Sequence, residues 1–136
     1  MKLVMRGTDI ASISWWLLAG EEILEHVTLA ARPEEYLGSL SHFLEKSGHK
    51  LADITEIIIV NGQGSAAALR ASVTLGNTLA WTRGWNIYAL TLPAAAPSEA
   101  VLENLSLAVR VKLARPVYQN APHITVATHD ALKRKM

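Results

Sequence analysis

The sequence predicts a mixed α/β domain: a sheet of about five strands with helices on its faces, in the order β-β-β-α-β-α-β-α. Three observations predict it. Residues 2–30 hold three strand-like runs in succession, divided by tight turns at 7–9 and 20–21. Strand-like runs then alternate with helical patterns, and a meander followed by alternation makes a mixed sheet. Finally, the apolar run Ile57, Ile58, Ile59, Val60 feeds a Gly-Gln-Gly-Ser turn that launches a long helix. At 136 residues the chain reads as one domain over 1–127, with 128–136 as a frayed tail, and it can bury a core without staples.

The first three strands fall at 2–8, 10–19 and 22–30. The second carries Ile13, Trp15, Trp16, Leu17 and Leu18, the density of a strand covered on both faces. Pro33 stands where a first helical residue tolerates proline, and the helix 33–47 ends at Gly48, a good left-handed cap. Within it Tyr36, Leu40 and Phe43 form one apolar line, and Leu37 and Leu44 form another beside it. That arc is wide enough to touch both a sheet and something else. A strand at 56–61, a helix from 65 to about 82 and a strand at 85–92 follow. Pro93-Ala-Ala-Ala-Pro97 is a break, after which Ser98 is expected to cap a helix from 99 to about 108. Val109, Val111 and Leu113 alternate with Arg110 and Lys112 as a strand would, so the boundary within 108–113 stays open. Residues 115–127, with Pro116 and Pro122, read as an extended segment. This order is that of an RNase H-like or actin-like single lobe.

Composition narrows the function. Half the residues are hydrophobic and 18% are charged, which is rich for a small monomer and fits a surface partly covered by a partner. Net charge is +1, with no basic field for nucleic acid beyond Lys133, Arg134 and Lys135 in the tail. The absence of cysteine excludes disulfides, thiolate catalysis and Cys-based metal sites. No apolar run approaches the roughly 18–20 residues of a membrane span. With no secretion signal ahead of the first strand, the expected location is cytoplasmic.

The most informative stretch is 60–80. Gly62 and Gly64 are expected to supply the positive φ of a tight strand-to-helix turn, and Ser65 to cap the helix. Ala68, Ser72, Gly76 and Ala80 then recur every four residues, leaving one helix face almost bare of side chains. Such a stripe is either a docking face for another helix or a close contact with the chain's own sheet. On the docking reading, a bulky Gly76→Leu change abolishes partner binding and spares the fold. Arg70, one turn on, either ties the loop or reaches a partner carboxylate.

These residues resemble the signature of the TsaB (YeaZ) family, approximately G-P-G-S-F-T-G-L-R-x-G-x-x-x-A-x-G-L-A. Gly62, Gly64, Ser65, Leu69, Arg70, Leu79 and Ala80 match; Gln63, Ala66, Ala67 and Ala68 depart from it, and Ser72, Gly76 and Thr78 keep its small character. The run Asn86-Ile-Tyr-Ala-Leu-Thr-Leu92 resembles the family's next strand, and Pro116-Val-Tyr-Gln-Asn-Ala-Pro-His-Ile-Thr125 its P-x-Y-L-R-x-P-x-I-T tail. Full-length members carry a second lobe between these segments, so the chain resembles a divergent, single-lobe form. The resemblance implies a non-catalytic partner of the TsaD enzyme, which installs threonylcarbamoyl on the adenosine beside the anticodon of certain tRNAs. An ATPase, TsaE, joins them. It also implies that the first two helices form a bundle with TsaD. Tyr36, Leu37, Leu40, Phe43 and Leu44 would then be anchors, with Ala68, Ser72, Gly76 and Ala80 the close-contact floor.

Other chemistry is weakly represented. The 62–65 turn could hold an anion at the helix N-terminus, but it lacks the Gly-Lys-Ser/Thr ending of a phosphate loop. Where relatives show Asp-Thr-Ser in the first hairpin, Arg6-Gly-Thr8 stands here, with Asp9 displaced. His26, His42, His49, His123 and His129 are scattered, with no i, i+4 pair to present a metal. No serine sits in a G-x-S-x-G elbow. Glu21, Glu22, Glu34 and Glu35 read as solvated charges, and Trp81 and Trp85 as local core around the Arg83-Gly84 turn. No cofactor is expected. The leading reading is a scaffold subunit for a TsaD-like enzyme. The alternatives are a homodimer using the same helix face, and a degenerate kinase- or peptidase-like lobe.

Overall fold

A computed structural model of the chain describes residues 1–117 apart from Gln63 and Ala94. Several expectations lie outside the described residues: the extended run from 118 to 127, the tail resemblance past Val117, the frayed end, His123, His129 and the terminal basic cluster. Three strands open the fold, β1 (Lys2–Asp9), β2 (Ser12–Ala19) and β3 (Glu22–Ala30), joined in antiparallel ladders. A turn of 3-10 helix at Pro33–Glu35 leads into α1 (Tyr36–Ser47), which Gly48 ends in the left-handed conformation at φ 76°. Then come β4 (Glu56–Asn61), α2 (Ala66–Arg83), β5 (Asn86–Thr91), α3 (Ser98–Glu103) and β6 (Val109–Val111).

The described residues build one six-stranded sheet, ordered β3-β2-β1-β4-β5-β6. β4 runs parallel to both β1 and β5, and β6 closes the far side antiparallel to β5. This is the mixed sheet of an actin-like or RNase H-like lobe, with one strand more than the sequence suggests. The extra strand comes from the shortened last helix. Asn104 turns its side chain back to donate to the Ala100 carbonyl (2.7 Å), and a 3-10 turn at Leu105–Leu107 frees the Val109–Val111 alternation to pair. Ser98 is the first helical residue rather than the cap, because Pro97 in extended conformation occupies that position.

Alternation along the strands divides the core into two layers. Leu3, Met5, Trp15, Leu17, Ile57 and Ile59 face α1 and α2, while Val4, Trp16, Leu18, Ile58, Val60 and Leu90 face the α3 side. Burying each such Leu, Ile or Val stabilises the fold by roughly 1.5–3 kcal/mol.

Candidate functional site

The helix faces proposed from sequence as a docking surface are placed by the structure inside the chain's own core. Tyr36, Leu40, Phe43 and Leu44 are buried beneath α1, against the same layer as Trp15 and Leu17. Ala68, Ser72, Gly76 and Ala80 are likewise buried, and α2 lies directly on β1 and β4. A Cβ on Gly76 would stand 2.5 Å from Ile59 Cδ1 and 3.0 Å from Met5 Cε. At Ser72 the hydroxyl donates to the Gly7 carbonyl (3.3 Å), and a Cβ on Gly7 would stand 2.7 Å from Ser72 Cβ. Small residues are needed there because the helix rides low on branched strand side chains. The close-contact floor is thus intramolecular, and of the five α1 anchors only Leu37, 52% exposed, points outward.

What the two helices turn to solvent is different. Ala67, Arg70, Thr74, Thr78 and Trp81 form the outward stripe of α2, spaced three and four residues apart. α2 carries no acid, and Arg70 and Arg83 are its only charges over 18 residues. Trp81 is 86% exposed, contrary to the expectation of local core, whereas Trp85 is buried. The Arg70 side chain makes no hydrogen bond to the described residues and does not tie the loop.

The 62–65 turn sits at the C-terminal end of the parallel strands, the place where open α/β sheets take their ligands. Here that region is cross-linked by the chain itself. Gly62 has φ 141°, and a Cβ on it would collide with the Leu92 carbonyl. Gly64 does not take the positive φ expected of it. It must be glycine because a Cβ would run into the Thr8 carbonyl, which accepts from the Ser65 N–H (2.9 Å). Ser65 caps α2 as expected, accepting from the Ala68 N–H at 3.2 Å. On the other side, the Arg6 guanidinium donates to the carbonyls of Ala96 (2.9 Å) and Pro93 (3.2 Å), and burial lowers its pKa from the usual arginine value. Arg6 therefore holds the loop after β5, at the position where the resembling family shows its Asp.

Two asparagines complete the cross-linking. Asn61 Nδ2 donates to the Arg115 carbonyl (2.6 Å) and its Oδ1 accepts from the Val117 N–H (3.1 Å). Asn77 in α2 brackets Ala114 in the same way, through its carbonyl and its N–H, both at 2.8 Å. Nothing in the sequence pattern flags this pair, since each residue reads as a strand end or an ordinary polar helix position. Among the described residues no three His, Asp or Glu side chains gather as a metal site. Nor is any helix there long and apolar enough to cross a membrane.

No family model matches the sequence, and no curated protein matches it either. Solved structures do match. YeaZ from Pseudomonas aeruginosa superposes with a TM-score of 0.58 at 16% identity, over 66% of this chain and 43% of that one. The fold is that of YeaZ. A second structure, described as an uncharacterized protein similar to peptidase YEAZ from the same organism, gives 0.57 at 16% identity over 68% and 42%. The chain thus spans less than half the length of the YeaZ chains it matches.

Proposed function

We propose that this chain is a non-catalytic scaffold that docks a partner protein through the outward faces of α1 and α2. One observation carries the proposal. The outward stripe of α2 is Ala67, Arg70, Thr74, Thr78 and Trp81, a surface with Arg70 as its single charge and otherwise only Ala and Thr around a nearly bare tryptophan. A helix facing only water normally carries a charged outer face. Tryptophan and arginine are among the residues that most often carry the binding energy of an interface. On α1, Leu37 is the large apolar side chain that turns outward. The YeaZ-like fold and the matched 62–80 signature support a TsaD-like enzyme as the partner, in tRNA threonylcarbamoyladenosine synthesis, with a TsaE-like ATPase as a further member. The proposed setting is cytoplasmic.

Size-exclusion chromatography with light scattering tests this, on the chain alone and mixed with the TsaD-like protein of the same organism. A mixed complex lost on Trp81→Arg supports the scaffold role. A homodimer lost on the same substitution, with no response to the enzyme, shows that the face serves self-association. A stable monomer under both conditions overturns the proposal. Micromolar ATP binding in the presence of magnesium, measured by calorimetry, would contradict the non-catalytic assignment.

A further inference from the structure

β6 runs against β5 and ends at Val111, opposite Ile87 near the start of that strand. The chain bends at 112–113 and then returns along the direction of β5. It passes Ala114 beside Asn77 and brings Arg115 and Val117 to Asn61, the last residue of β4. The way this segment is held is unusual. Asn61 is one of two buried polar side chains among the described residues, and it stands where Ile57, Ile58, Ile59 and Val60 would lead one to expect another apolar residue. A buried amide is costly unless its donor and acceptor are both satisfied. Here both are satisfied, and by the backbone of 115–117.

The segment itself contributes little burial in return. Of residues 112–117 only Ala114 is buried, while Leu113, Arg115 and Val117 turn outward. Its attachment is therefore directed at the backbone and concentrated at two points. Segments with few buried apolar contacts open locally at far lower cost than the core around them.

We propose that residues 113–117 are a strap, held as one unit by Asn61 and Asn77, which opens without unfolding the sheet it covers. Opening bares the Asn61 amide beside the 62–65 turn, at the end of the sheet where open α/β folds take ligands. The strap makes access to that end a local equilibrium, separate from global stability.

Residue-resolved amide exchange by NMR on the full chain tests this. The Ala114 N–H is bonded to Asn77 and the Val117 N–H to Asn61, so each asparagine has its own reporter. In Asn77→Ala, both reporters are expected to exchange about tenfold faster or more, with β1 and β4 amides unchanged. Asn61→Ala is the reciprocal variant and covers the case in which one of the two fails to fold. It should deprotect Ala114, which it does not touch. Acceleration of only the directly bonded amide would show two independent bonds and no unit. Acceleration spreading into β4 or α2, or no change at all, would equally overturn the strap.

Discussion

At the residue scale, glycine positions separate packing from docking. Gly76 belongs to the core, because the space a side chain needs there is filled by Ile59 and Met5. Gly76→Leu should therefore lower the melting temperature, with overpacking of this kind costing about 1–3 kcal/mol or more. Thermal denaturation followed by circular dichroism checks this; an unchanged melting temperature would place the residue back on an open face. Gly62 makes a second case. At φ 141° and against the Leu92 carbonyl, Gly62→Ala meets both backbone strain and a backbone atom that cannot rotate away. A loss of about 1–3 kcal/mol in denaturant unfolding is the expected outcome. The need for glycine at 62 and 64 was legible in the sequence, yet the reason at 64 was not. Close approach to Thr8 depends on where β1 lies in space, and no local pattern encodes that.

At the scale of elements, four-residue spacing identifies a bare helix face but not its neighbour. The stripe Ala68, Ser72, Gly76, Ala80 had two readings, and the sheet took it because α2 crosses directly over β1 and β4. The opposite stripe was hidden by its composition, since Ala and Thr read as unremarkable helix positions and Trp81 as core beside a turn. β3 and β4 were legible end to end, β3 between the Gly20-Glu21 turn and Pro33, and β4 as an apolar run stopped by Gly62. The last helix was not, because Asn104 and the valine alternation compete over the same few residues. The outward face of α2 gives its own prediction. Trp81→Arg should leave the unfolding free energy in denaturant within about 0.5 kcal/mol of wild type, as an exposed position away from the core does. If the proposed docking holds, it also removes association. Loss of both fold and association would instead make Trp81 structural.

At the scale of the whole molecule, the described residues cover the two faces of the sheet unequally. α1 and α2 shield one face with 12 and 18 residues, whereas α3 offers the other only 6. Part of that thinner cover comes from a side chain on the sheet itself. His26 of β3 stacks on Trp16 with ring centroids 4.4 Å apart and planes within 3°. Desolvation lowers the His26 pKa, and the nearby Glu99 carboxylate offsets this only in part. The folded state thus resists protonation that the unfolded chain accepts near the ordinary histidine value of about 6.5. Between those two pKa values the unfolded chain binds more protons, so stability rises with pH there. The contribution is present above the unfolded value and is lost as pH falls through it toward the lower folded value. Melting temperatures at about pH 7.5 and 5.5 should accordingly fall further in wild type than in His26→Phe, which keeps a ring on Trp16 but cannot titrate. Equal falls in the two proteins would mean that the stack tolerates the charged imidazole. Among the described residues, the thin face would then owe its cover to α3 and the Arg6-held loop.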